Sequence, residues 1–142
     1  MAGISSISDI FRKDDDGEYI RSNAKLAQKI LSYTLVAQKD NPSQEYNEIF
    51  YDRDLAKWLL RHYIEFVKHY QDRPYNRTRE SNRIENVLPR IKDILNELGK
   101  LDLVRFEKAE QRRGTSDIIT VYRPTFAGHL IALLIEIMES EK

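Results

Sequence analysis

The stretch from Ser81 to Ile137 reads, in order, as a helix, a β-hairpin with a basic tip and a strongly apolar helix. Ile84, Val87, Leu88, Ile91, Leu95 and Leu98 recur at helical spacing, which predicts a helix over about 82–98 with Ser81 as its N-cap. Gly99 is expected to supply a left-handed stop. Pro89 removes one backbone bond and should bend the helix, with its ring on the face away from the apolar stripe. Residues 101–108 and 117–122, rich in Val, Ile, Phe and Tyr, predict the strands of a hairpin over about 101–123, turning around Gln111-Arg112-Arg113-Gly114. Pro124 ends the second strand and Thr125 caps a final helix over about 125–140. On it Phe126, Leu130, Leu133, Leu134, Ile137 and Met138 form one face, and Ile131 and Ile135 another.

A chain of 142 residues predicts one domain. The balance of 41% hydrophobic and 32% charged residues fits a soluble globular protein with one core. The absence of cysteine excludes disulfides and thiolate metal sites, and makes a cytoplasmic location the expectation. Residues 1–11 lack the basic start and long apolar run of a secretory signal, and the apolar run 130–138 is too short to span a bilayer, so no membrane partner is expected. The net charge of zero argues against a protein that coats nucleic acid everywhere, but leaves room for a local basic surface. Charge is segregated along the chain: Asp14, Asp15, Asp16 and Glu18 near the start, Glu136, Glu139 and Glu141 near the end. Between them come Arg73, Arg77, Arg79, Arg83, Arg90 and Lys92, with only Glu80 and Glu85 interleaved.

Upstream, residues 1–20 show no sustained periodicity and predict a flexible N-terminal arm before a single domain over 21–142. A first helix is predicted from an N-cap at Ser22 to about Lys39, ended by Asn41-Pro42-Ser43. Asp52 is the expected cap of a second helix, whose Leu55, Leu59, Tyr63, Phe66, Val67 and Tyr70 keep helical spacing to Tyr70. Residues 71–80 read as a polar linker.

Residues 84–128 resemble the winged helix-turn-helix family, especially its MarR-like and PadR-like regulators. The likeness rests on Glu97-Leu98-Gly99-Lys100-Leu101-Asp102-Leu103-Val104, which resembles a recognition helix running into the first wing strand. It rests also on the Arg112-Arg113-Gly114 tip, and on Tyr122-Arg123-Pro124-Thr125-Phe126-Ala127-Gly128, similar to the family's passage from wing to following helix. Asp54-Leu55-Ala56-Lys57-Trp58-Leu59 resembles the core of the family's second helix. In the family a short turn follows that helix, whereas here the helical pattern continues to Tyr70. The resemblance implies a mainly α fold with a β-hairpin wing (α+β), sequence-specific binding of double-stranded DNA, and a dimeric transcription regulator without a cofactor. A small-molecule effector is compatible with it, and no residue identifies one.

Three groups of residues are candidates for function. The first is the polar start of the third helix: Arg77, Thr78, Arg79, Ser81, Asn82 and Arg83, with Asn86 and Arg90 further along. In a winged helix these would meet base edges, arginine suiting guanine and asparagine adenine. The bland alternative is a solvated helix start. The second is the hairpin, with Lys108, Arg112 and Arg113 as phosphate contacts, against the alternative of a tip kept soluble by charge. The third is the last helix, whose Leu130, Ile131, Leu134, Ile135 and Met138 are expected at a homodimer interface, the alternative being ordinary core.

Enzyme readings find little footing. His62 and His69 have no acidic partner in a zinc motif, and Asp14-Asp15-Asp16-Gly17-Glu18 lacks the spacing of a calcium loop. No Walker loop, Rossmann glycine series or nucleophile elbow is present, so neither a catalytic site nor a metal site is expected. The competing class is a winged helix used as a protein-interaction module, which acidic residues in the wing and the zero net charge favour.

Overall fold

The computed structural model describes residues 3–39, 49–71, 77–111, 114 and 118–141, of which 38, 39, 77 and 78 enter by backbone alone. A 3-10 turn (Ile7–Ile10) precedes α1 (Ala24–Lys39), β1 (Phe50–Tyr51), α2 (Asp52–His62), α3 (Ile64–Tyr70), α4 (Arg77–Lys100), β2 (Val104–Gln111), β3 (Ile118–Pro124) and α5 (Phe126–Ser140). The described residues form a mostly helical α+β fold with one antiparallel sheet in the order β1-β3-β2. No described helix is long and apolar enough to cross a membrane.

The core lies where α1, α2 and α4 meet. Leu26, Ile30 and Leu31 from α1, Leu55 and Leu59 from α2, and Ile91, Ile94, Leu95 and Leu98 from α4 are sealed from solvent. Pro89 is exposed within α4, on the side opposite that stripe. α5 packs on α1, with Ala132 and Ile135 buried along it, while Gly128 sits against the Leu103 backbone.

Residues 3–20 depart from the expected arm. Ile4 and Ile10 enter the core, and Gln28 of α1 donates from Nε2 to the Ile10 carbonyl at 2.7 Å. The Ile4 amide donates to the Glu97 carboxylate on α4 at 3.1 Å. Two anchoring residues six apart leave no periodic signal, so pattern reading misses them. The acidic run that follows closes a turn: the Asp14 carboxylate accepts from the amides of Asp16 (2.9 Å) and Glu18 (3.0 Å), and Gly17 takes φ +82°.

The predicted second helix is two helices. Tyr63 is extended (φ −90°, ψ 113°) and ends α2, its amide donating to the Leu59 carbonyl at 2.8 Å. One broken residue preserves the spacing of Leu59, Tyr63 and Phe66, all buried, so periodicity alone cannot show it. Asp52, expected as the cap, is the first helical residue and is wholly buried. Its Oδ1 accepts from the amides of Arg53 (2.8 Å) and Thr120 (3.2 Å), and Oδ2 lies 3.5 Å from Lys92 Nζ. It thus ties α2, the sheet and α4 together.

The third predicted helix starts earlier than Ser81, which sits inside α4 rather than capping it. Its end differs too. The left-handed residue is Asp102 (φ 59°), not Gly99. Leu103 N donates to the Leu98 carbonyl and Asp102 N to the Gly99 carbonyl, both at 3.0 Å, a Schellman closure flanked by buried Leu98 and Leu103. Aspartate tolerates this conformation better than most residues.

Beyond that turn, β2 and β3 pair from Val104↔Pro124 to Gln111↔Ile118, with a bulge at Glu107. Along β2 only Val104 is buried, whereas Thr120, Val121, Tyr122 and Pro124 of β3 are buried, so β2 forms the exposed outer strand of the hairpin. β1, two residues long and absent from the sequence reading, adds Phe50↔Tyr122 and Tyr51↔Val121 on the other side of β3.

Candidate nucleic-acid interface

The early turns of α4 form the polar surface. The side chains of Arg77 and Thr78 lie outside the described structure, while Arg79, Ser81, Asn82 and Asn86 are exposed. Arg83 lays its guanidinium 4.8 Å from the Tyr70 ring centroid, a cation–π contact that ties α4 to the end of α3. Tyr70, Arg79, Asn82, Arg83 and Asn86 border a cavity of about 280 Å³. A second, of about 380 Å³, runs on from it past Tyr70 and Asn86 to Glu65, Phe66, His69, Val87 and Arg90. The groove they make combines guanidinium donors with two amides, each able to donate and accept. Both cavities share Asn86 and Tyr70, the latter marked by the sequence only as an apolar helix position.

Arg90 does not join that outward set. Its Nε and Nη2 donate to Asn23 Oδ1 at 3.3 and 3.1 Å, and Nη2 also reaches Glu65 Oε2 at 3.2 Å. It clasps α4 to the start of α1 and to α3. Glu65 accepts as well from the Tyr63 hydroxyl at 2.6 Å. That hydrogen bond, then Arg90, holds the Glu65 carboxyl below its ordinary range, while burial, then Glu65, pushes the Tyr63 hydroxyl up.

On the hairpin, Lys108 pairs with Glu110 at 2.8 Å, which raises its ammonium above the usual lysine range, and Arg123 pairs with Glu107 at 2.8 Å. Arg112 and Arg113 lie outside the described residues. Around α4, Arg53 pairs with Glu85, and Lys57 and Arg61 approach Glu80 at 3.9 and 3.7 Å. The two acids interleaved among the central arginines are therefore the ones that neutralise neighbouring cations. Among the described residues Arg53, Arg61, Arg90 and Arg123 each lie beside a carboxylate. Most of these pairs are substantially exposed, where an ion pair contributes about 0–1 kcal/mol and yields readily to a competing anion.

The last helix corrects the expected interface. Ile135 is buried and Ile131 half-buried against the chain's own core. Leu130, Leu134 and Met138 are exposed, and Phe126, Leu133 and Ile137, omitted from the expected set, are exposed beside them. His62 stacks on Trp58 (4.8 Å between ring centroids) and His69 meets Tyr70 edge-on (4.6 Å). Among the described residues no three His, Cys, Asp or Glu side chains gather in a way that could hold a metal ion.

Comparison with known protein families, with curated proteins and with solved structures finds no match to this chain.

Proposed function

We propose that the chain is a winged-helix protein that binds double-stranded DNA, with α4 as the reading helix and β2–β3 as the wing, and that it acts as a dimeric transcription regulator in the cytoplasm. The element order α1-β1-α2-α3-α4-β2-β3 and the sheet order β1-β3-β2 support this reading, because they set a hairpin with an exposed outer strand directly after the long helix. The observation that carries it is the exposed polar start of α4, where Arg79, Ser81, Asn82 and Asn86 stand clear of the core. Side chains of these types at the N-terminal end of a reading helix can engage base edges in the major groove. α3 fills the place of a short turn and stays compatible with docking because Arg90 and Arg83 hold it against α4.

The test is a binding titration on duplex DNA selected from a random pool. Asn82→Ala and Asn86→Ala should each cost about 1–3 kcal/mol at particular base pairs. Arg112→Ala and Arg113→Ala should weaken all sequences alike and lower the salt slope by about one per lost phosphate contact. Four variants that all keep wild-type affinity would refute the placement. A second reading, a protein-interaction module, is favoured by the pairing of Glu80 and Glu85 with Lys57, Arg61 and Arg53 beside α4. It predicts no duplex affinity even at low salt.

A further inference from the structure

Six large apolar side chains of α5 face away from the body: Phe126, Leu130, Leu133, Leu134, Ile137 and Met138 are 38–56% exposed. The opposite side of the helix, Gly128, Ala132 and Ile135, is already buried against the body, Gly128 meeting the Leu103 backbone and the helix packing on α1. Phe126, Leu130, Leu133 and Ile137 follow a 4-3-4 spacing, the seam of a two-helix contact. The face leaves on the order of 500 Å² of apolar surface, toward the upper end of what a lone soluble protein exposes. Pairing two such faces would bury about 1,000 Å², the lower bound for a specific interface.

The flanks of the seam decide the occupant and its direction. His129 and Glu136 lie one heptad apart, each directly before a seam residue, so both edge the same flank. The other flank carries Ala127 and Leu134. In a parallel pair unlike flanks meet, which would set His129 and Glu136 against apolar groups. In an antiparallel pair each flank meets its own copy reversed. Phe126 then stands against Ile137, Leu130 against Leu133, and His129 against Glu136, twice over by symmetry. The ends of the helix agree. Glu136, Glu139 and Glu141 gather at the C-terminal end, and Arg105 borders the cavity beside Phe126 at the N-terminal end, which Asp102 and Arg123, the latter paired with Glu107, also line. Opposed helix dipoles add to the match.

We infer that α5 pairs antiparallel with α5 of a second copy, about a two-fold axis near Ile131 and Ala132. This builds on the dimeric part of the proposed function and is independent of DNA binding. Sedimentation equilibrium of the full chain without DNA should give a dimer. Leu130→Glu should weaken it about tenfold or more while circular dichroism stays unchanged. Leu133→Gln serves the same purpose if Leu130→Glu does not fold. His129→Glu should weaken the dimer, and adding Glu136→Lys in the same chain should restore it. The two positions are about 10 Å apart along one helix, too far to compensate each other within a chain. The chain has no cysteine, so Glu141→Cys can carry a single spin label. The antiparallel pair predicts a label separation of roughly 30 Å, a parallel pair about 10 Å. A monomer at high micromolar concentration, the short distance, or failure of the charge swap to restore the dimer would overturn the inference. A monomer that still bound selected DNA would leave the DNA reading standing alone.

Discussion

Asp9 and Glu65 each hold a carboxylate below its ordinary range, by different neighbours. Asp9 accepts from the amides of Ser5 (2.9 Å) and Ser6 (3.2 Å) and faces Arg21 at 3.4 Å; the Ser5 bond is its largest influence. Glu65 is held first by the Tyr63 hydroxyl and then by Arg90. A carboxyl that binds its proton less tightly when folded stabilises the fold above its unfolded value, near pH 4. That contribution is lost as pH falls through the lower folded value. The urea midpoint should therefore fall steadily from about pH 5 toward pH 2, and Asp9→Asn should flatten the slope. A midpoint that held constant over that range in the wild type would contradict both assignments.

At the scale of elements, the passage from α4 into the hairpin and back into α5 sets where the polar helix and the hairpin stand. Thr125 caps α5 by accepting from the Gly128 amide at 3.0 Å, and its own hydroxyl donates to the Asp102 carbonyl at 2.5 Å. A Cβ on Gly128 would lie 1.9 Å from the Leu103 carbonyl oxygen, whereas one on Gly99 would find its nearest neighbour at 3.8 Å. Gly128→Ala should accordingly cost about 2–3 kcal/mol in chemical denaturation. Gly99→Ala, in a helical turn with room, should be neutral or stabilise by up to about 1 kcal/mol. Equal effects of the two would contradict the close approach. Much of this region was legible in the sequence: the helix stripe through Leu98, the hairpin, Pro124 as a stop and Thr125 as a cap. The rest was not, for physical reasons. β1 is two residues whose partner strand lies some 70 positions away, the break at Tyr63 keeps the helical spacing, and the stop at Asp102 uses aspartate where glycine was the stronger local signal. Of the candidate site, the exposed residues of α4 were readable from polarity. The inward turn of Arg90 was not, because Asn23 and Glu65 are brought to it only by folding.

For the whole molecule, the zero net charge shows in the fold as pairing: Arg53 with Glu85, Lys92 with Asp52, Arg90 with Glu65, Lys108 with Glu110, Arg123 with Glu107. On the proposed DNA-binding reading, affinity would come from few cations and rest more on shape and base contacts, and the proposed α5 pairing would supply a second copy of α4 by symmetry. The most direct measurement is selection of bound duplexes from a random pool by the full chain at moderate salt. The account predicts enrichment of a pseudo-palindrome whose half-sites lie about 10 base pairs, or a multiple of that, apart. A recovered pool with no sequence preference, or no recovered duplex at all, would contradict it.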